Sequence, residues 1–331
     1  MGPGRRNLLR LGAASAAFAV PALRRRAAAQ AGWSPDRPVT FLGPFAAGGS
    51  FDVTARAIAR GIEPLLGQPV AVVNRTGAGG TIMLAELARA RPDGHTIGLL
   101  SVNTNAIAPQ LVEVPFDPVK DFTPILTYGA FCTFVAVPRD SRFAGLREMM
   151  EFARREPGKL SVGVAAIGSN AHLTMARVAA HDRVDVTFVP FGGGAPAVTA
   201  LLGGHVHCAV VSGEILPYAR DGRLRLLAVL NGQRAEEFPE VPTLLDLAYG
   251  WAANPWLGVG GPKGLPEPVV TRYAAAMNQA MESEEFRKVM RDLAIQRLRL
   301  DAAETARLME QSHAEHAEVA RNLRIGRFAP R

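Results

Sequence analysis

The stretch GPFAAGGSFDVTARAIA, Gly43 to Ala59, sets a glycine turn directly before a helix start. The first N–H groups of a helix have no partner within it and carry a partial positive charge. Such a turn can therefore hold an anion without a basic side chain. Its candidate contacts are Phe45, Ala46, Ala47, Gly48, Gly49 and Ser50 (the expected cap), with Asp52 in the first helical turn. AIGSNAHL, Ala166 to Leu173, has the same make-up. Gly168 turns the chain, Ser169 or Asn170 caps a helix, and His172 follows as either a ligand contact or a packed histidine. VNTNA, Val102 to Ala106, follows a strand, so Asn103 and Asn105 are either cleft-facing amides or turn formers.

Other chemistry finds weaker support. GGSFDV lacks the Gly-x-x-x-x-Gly-Lys of a phosphate loop, and GAGGTI is not the Gly-x-Gly-x-x-Gly of a dinucleotide site. No serine sits in Gly-x-Ser-x-Gly, although Ser169 or Ser212 with a distant histidine keeps a serine hydrolase open as a rival. HVHC puts His205 and His207 on one face of an expected strand, with no third metal ligand nearby. Asp52 and Glu214 form no local acid–base pair. No catalytic residue, cofactor or metal ligand is assigned.

The elements that must carry these turns alternate. RPVTFLGPF, QPVAVVN and HTIGLLSV read as strands, and Ala55, Ile58, Ala59 and Ile62 recur at helical spacing between the first two. FVAVP, KLSVGVAA, VDVTFVPF, HCAVVS and LRLLAVL continue the strand pattern. From Pro266 onward the chain reads as helical, with Asp301 and Glu304 opening the last helix as a capping box. This order predicts an α/β fold with mainly parallel sheets flanked by helices. An internal echo, VTFLGPFAAGGSFDVTA from Val39 and VTFVPFGGGAPAVTA from Val186, suggests two lobes, each presenting a glycine turn to one cleft. Phe191 and Gly192 join the candidate site on that ground.

At 331 residues two domains are expected. The net charge of +7 is concentrated in residues 1–31, which hold six arginines and no acid; taking six from 37 leaves 31 basic residues against 30 acidic. A nucleic-acid binder would keep its basic patch in the folded part. The leader has a basic start with Arg5-Arg6, an uncharged run from Leu11 to Leu23, and Ala29-Gln30-Ala31 as a cleavage pattern. It reads as a twin-arginine-type export signal cut after Ala31, which places the mature chain in the periplasm. Cys132 and Cys208 read as small buried hydrophobes.

RPVTFLGPFAAGGSFDVTAR, GQPVAVVNRTGAGGTI, ARARPDGHTIGL, FDPVKDFTPI, GSNAHL, VPFGGGAPAVTALLGGHV and VPTLLDL occur in one order along the whole chain from Trp33. Together they resemble the Bug family, the substrate-binding receptors of tripartite tricarboxylate transporters. The resemblance implies a monomeric, two-lobed, type II-like periplasmic binding protein. Lobe 1 would comprise 32–132 plus 256–331, and lobe 2 would comprise 133–255. It implies a di-, tri- or aromatic carboxylate, held by backbone amides, hydroxyls and waters from Phe45–Ser50 and Gly168–His172, and delivery to permease subunits. A sensing module that docks on a membrane protein would share this cleft. Asp52 would brace the first loop or meet a ligand donor. Val211 stands where the family usually has an acid, which disfavours an amino-acid ligand, with Glu214 able to compensate; Val211 and Ser212 complete the candidate site.

Overall fold

The computed structural model describes residues 32–329; the export signal expected in residues 1–31 lies outside the described residues. Eleven strands among them form two sheets. The first contains β1 (Val39–Gly43), β2 (Val70–Asn74), β3 (Thr96–Ser101), β4 (Phe122–Phe131), β10 (Trp256–Pro262) and β11 (Ile295–Leu300), in the order β11-β4-β10-β3-β1-β2. The second contains β5 (Phe134–Pro138), β6 (Ser161–Val164), β7 (Thr187–Pro190), β8 (Cys208–Val211) and β9 (Leu224–Val229), in the order β7-β6-β8-β5-β9.

Both sheets are mixed. The expected parallel order holds for β2-β1-β3 and for β7-β6-β8, where helical crossovers place the next two strands on opposite sides of β1 and of β6. The other half of each sheet is antiparallel. Three of its strands, β4, β10 and β11, do not follow from the periodicity. The expected run of helices after Pro266 is interrupted by β11.

Helices cover both faces of each sheet. In the first lobe α1 (Ser50–Leu66), α8 (Glu267–Ala280) and α9 (Glu284–Asp292) bury Ile58, Ile62, Tyr273 and Phe286 on one face. The other face packs against α2 (Thr81–Arg89), the short α3 (Ala108–Leu111) and α10 (Ala302–Asn322) through Met83, Leu87, Ile107 and Met309. Asp301 and Glu304 close the expected capping box at α10. In the second lobe α4 (Leu146–Arg155) and α5 (Asn170–Asp182) bury Met149, Met150, Met175 and Val178 on one face. On the opposite face α6 (Gly194–Leu202) and α7 (Leu216–Arg220) bury Val198, Leu201 and Leu216.

The chain passes between sheets at Cys132–Thr133 and again just before β10. Asn231, only 3% exposed, ties these passages together. Its Oδ1 accepts from Thr133 N–H at 2.9 Å and its Nδ2 donates to Phe131 O at 2.8 Å. Leu230 N–H reaches Thr133 O, and Ala253 N–H reaches Leu230 O. Cys132 and Cys208 are both buried and unbonded, and burial pushes each thiol up to about 12.

Replacing Asn231 with Ala leaves the Phe131 carbonyl and the Thr133 amide buried without partners, at about 1–3 kcal/mol. Asn231→Asp keeps the acceptor for Thr133 but sets a buried carboxylate against the Phe131 carbonyl, so at neutral pH it should melt at or below Asn231→Ala. Thermal unfolding of the three proteins checks that order; an Asn231→Ala protein as stable as the parent would refute the tie.

Candidate functional site

At the carboxyl end of β1, Pro44 and Phe45 lead into the exposed Ala46–Gly49 and then into α1. Gly48 has φ +80°, a conformation that glycine adopts without strain. Gly49 is the N-cap and makes no side-chain bond, so Ser50 is the first helical residue, not the expected cap. The first bond of the helix runs from Val53 N–H to Gly49 O at 2.9 Å. The amides of Ser50, Phe51 and Asp52 therefore have no helical partner. Behind the turn Phe45, half-buried, meets Phe51 edge-to-face at 4.7 Å between centroids, and Phe51 meets Phe131 at a tilt at 5.4 Å.

Asp52 lies beneath this turn and is 4% exposed. It accepts from Gly48 N–H at 2.8 Å, Asn74 Nδ2 at 2.9 Å, and Arg56 through Nε at 3.0 Å and Nη2 at 2.9 Å. Burial pushes its carboxyl up, but the bonds from Arg56, Gly48 and Asn74 outweigh that and hold it below its ordinary value. Of its two expected roles, the geometry displays the brace.

The other first-lobe turns converge on the same place. A Cβ on Gly80 would lie 2.5 Å from Thr104 and 3.0 Å from Pro44. Within the turn after β3, Asn105 is 1% exposed, and its side chain is consumed locally. Oδ1 accepts from Ser101 N–H at 3.2 Å and Thr104 Oγ1 at 2.9 Å, while Nδ2 donates to Pro118 O at 3.0 Å. Asn105 is thus a turn former, which corrects its placement as a ligand contact. Asn103 is half-buried, and its buried Oδ1 has no partner.

In the second lobe the turn after β6 bends at Gly168, φ +80°. Ser169 caps α5, its Oγ accepting from His172 N–H at 3.2 Å. The His172 ring folds back, so that Nδ1 accepts from Gly168 N–H at 3.1 Å, and it stands edge-on to Phe188 at 4.6 Å. Burial lowers its pKa, favouring the neutral ring that this acceptor role requires. His172 is a strut of the loop, the packed alternative of the two expected. The first turn of α5 holds no acid, and the amides of Asn170 and Ala171 precede the first helical bond, Leu173 N–H to Ser169 O at 2.9 Å. Asn170 is 6% exposed, and its Nδ2 is buried without a partner. It lines a cavity of about 110 Å³ against Ser312, Glu315 and His316 of α10. A Cβ on Gly168 would come within 2.4 Å of Leu111 of the first lobe, so this loop touches the opposite wall.

The turn after β7 holds the remaining members. Phe191 lies under β6, 3.3 Å from where a Gly163 Cβ would stand, and Gly192 is exposed at φ +73°. Val211 ends β8 with its side chain packed in the core (3% exposed), so it is not a cleft contact as expected. Ser212 is half-buried. Among the described residues neither Ser169 nor Ser212 is hydrogen-bonded to a histidine ring. His205 and His207 precede the strand and are exposed, and His207 Nδ1 pairs with Ser161 Oγ at 2.7 Å. Sequence reasoning missed Gly194, against which the Glu214 carboxylate packs.

Two mixed α/β sheets, joined by crossing strands and facing each other with their helix starts, define a periplasmic binding protein. The model of the tripartite tricarboxylate transporter family receptor matches residues 54–325. A UPF0065 protein of Pseudomonas sp. strain P51 is 36% identical over 266 residues, 79% of each chain. Protein BugT of Bordetella pertussis is 33% identical over 255 residues, 76% of this chain and 78% of its own. Among solved structures, the periplasmic binding protein BugD superposes with TM-score 0.74 at 29% identity, covering 88% of this chain and 99% of its own. MatC of Rhodopseudomonas palustris with bound malate gives 0.73 at 29%, covering 86% and 99%. A further R. palustris protein with adipate gives 0.77 at 27%, covering 88% and 99%. The chain belongs to the tripartite tricarboxylate transporter receptor family, whose members are periplasmic solute-binding receptors.

Asp52→Ala should cost about 1–3 kcal/mol at neutral pH, because the Gly48 amide and the Asn74 side chain lose their acceptor. The folded carboxyl titrates below its unfolded value of about 3.9, so its contribution is complete above that pH and lost as pH falls through the folded value. Unfolding measured from pH 7 to pH 2 should show the parent and Asp52→Ala converging at the acid end. A gap that stays constant over that range would refute the ionic brace.

Proposed function

We propose that the protein is a non-catalytic receptor that captures a small organic carboxylate between its lobes and delivers it to membrane subunits of a tripartite tricarboxylate-type transporter. One observation carries the reading. The start of α5 has a serine cap, no acid in its first turn and amides at Asn170 and Ala171 that precede its first helical bond; its Gly168 turn reaches Leu111 of the first lobe, where α1 starts without a side-chain cap. A carboxylate there meets two helix dipoles, each contributing about 0.3–1 kcal/mol when exposed and up to about 2 when partly buried. Phe45 supplies an apolar flank. Affinity near 1 μM corresponds to about −8 kcal/mol, within reach of such contacts after ordering costs. The malate and adipate held by the two Rhodopseudomonas relatives support a dicarboxylate. We take the moving units to be 32–132 with 256–331, and 133–255, acting in a monomer.

Gly49 has φ −75°, which any residue adopts, and it is exposed; a Cβ there would stand 3.3 Å from the Ala46 carbonyl, so Gly49→Val should fold with only a small shift of the loop. The new side chain occupies the space a carboxylate needs against the α1 amides. A thermal-shift screen with mono-, di- and aromatic carboxylates and amino acids should find a stabiliser that is recovered unchanged. At 100 times its dissociation constant such a ligand adds about 2.7 kcal/mol. Gly49→Val should weaken that ligand at least roughly tenfold. Retained affinity would move the site away from the first loop, and a consumed ligand would restore the hydrolase.

Export by the twin-arginine route belongs to the same proposal, resting on Arg5-Arg6 in the leader. Replacing both with Lys should leave the precursor in the cytoplasm; fractionation that finds it in the periplasm as usual rules this route out.

A further inference from the structure

β9 ends the second sheet, and the chain covers only part of its outer side. At Val229 the protein supplies its own neighbour: the Val229 N–H donates to Pro242 O at 2.8 Å, and the Val229 carbonyl accepts from Leu244 N–H at 3.2 Å. Among the described residues no strand flanks Leu224–Leu227 on that side. Arg139 N–H donates to Arg223 O, and Pro138, Val137 and Ala136 stand opposite Leu224, Arg225 and Leu226. Bonded pairs alternate along an antiparallel ladder, so the backbone groups of Leu224 and Leu226 point away from β5. A cavity of about 490 Å³ lies along this edge, lined by all four of Leu224, Arg225, Leu226 and Leu227. Successive side chains point to opposite faces, so a space touching all of them lies in the plane of the sheet, where a further strand would run. Its walls are apolar, with Phe238 and Val241 from one core of the lobe and Leu146 and Leu247 from the other.

Arg139, Arg147 and Arg225 line the same space. Arg147 Nη2 donates to Leu247 O at 2.8 Å, and Arg225 Nη2 donates to Ser141 O and Phe143 O at 2.8 Å each. Arg225 Nε is buried without a partner. Carbonyls orient these guanidinium groups and leave their charge unbalanced. Nearby Arg220, Arg223 and Arg234 do pair with acids, namely Glu237, Asp221 and Asp246. Against the three arginines the lining sets one acid, Glu240. A free strand edge is a template for another strand. We propose that this edge docks an extended acidic segment of a partner protein. The segment adds to β9 as a strand, bonds the free groups of Leu224 and Leu226, and sets its carboxylates against Arg139, Arg147 and Arg225. A second copy of this chain does not fit, because two β9 edges would bring the same arginines face to face. The groove lies at the Pro138 end of β5, whereas Phe134 at the other end pairs with Val211, where β8 runs out toward the first lobe. It is therefore separate from the carboxylate site.

Fluorescence anisotropy of the purified protein with a labelled hexapeptide of alternating valine and aspartate tests this. The peptide should bind at least about tenfold tighter than its counterpart with lysine for aspartate. Arg139 and Arg147 are exposed, so Arg139→Glu with Arg147→Glu should stay folded by thermal unfolding and lose at least about tenfold in peptide affinity. The same double variant should bind a carboxylate ligand as the parent does, which separates this inference from the receptor reading. N-methylation of alternate peptide residues tests the strand pairing without any change to the protein. In one phase it should weaken binding at least about tenfold, and in the other it should leave binding intact. Failure of the acidic peptide to bind, or binding unchanged by methylation in both phases, overturns the docking site. Capture of phosphatidylglycerol vesicles by a protein that ignores the peptide would assign the arginines to a lipid surface and overturn it too.

Discussion

The arrangement of the molecule turns on one buried amide. Asn231 bonds to the backbone on either side of the first passage between sheets, while its neighbour Leu230 bonds to both passages. A side chain serving both functions of the amide fixes the first passage, and the backbone bonds of Leu230 tie the second passage to it. Everything that faces the cleft is positioned relative to this joint. The turns after β6 and β8 reach the first lobe, where a Cβ on Gly168 would meet Leu111 and one on Gly213 would meet Leu293.

A site made of helix starts has a characteristic economy. Backbone amides hold their direction only as well as the turn beneath them is held, so the side chains at these turns act mainly as struts. Asp52 fastens the first turn from below, Asn105 fastens the turn after β3, and His172 fastens the turn after β6. Each uses its polar atoms inward, leaving Ala46–Gly49 exposed. Affinity in such a site is set by loop geometry, and specificity by the few polar atoms that the struts do not consume.

Alternating strands with glycine turns were legible in the sequence because each carries its own period and punctuation. β10 was not, since Gly258, Gly260, Gly261 and Pro262 interrupt its pattern where neighbouring strands approach closely. β11 alternates clearly as IQRLRL, yet it sits among helices and was absorbed into them. At the site, the turns could be found from residue type, but the direction of each side chain could not. Asn105 and Val211 carry the right chemistry or position and point into their own turn and core, because packing partners far along the chain decide the outcome. The pairing of Gly194 with Glu214 has no local signature at all; it exists only once β8 is laid beside α6.

Leu173 of α5 is buried among Leu42, Met83, Leu100 and Trp256, which belong to the other lobe. Arg177, one turn further, pairs with Glu315 of α10 at 2.8 Å while its guanidinium rests 4.0 Å over Trp251. The helix proposed to offer its amides to the ligand is thus rooted by its flank in the opposite wall. Any parting of the lobes along this seam withdraws a leucine from an apolar cluster, at about 1.5–3 kcal/mol before the ion pair is counted. Whatever separates the two walls must first break contacts that no ligand makes.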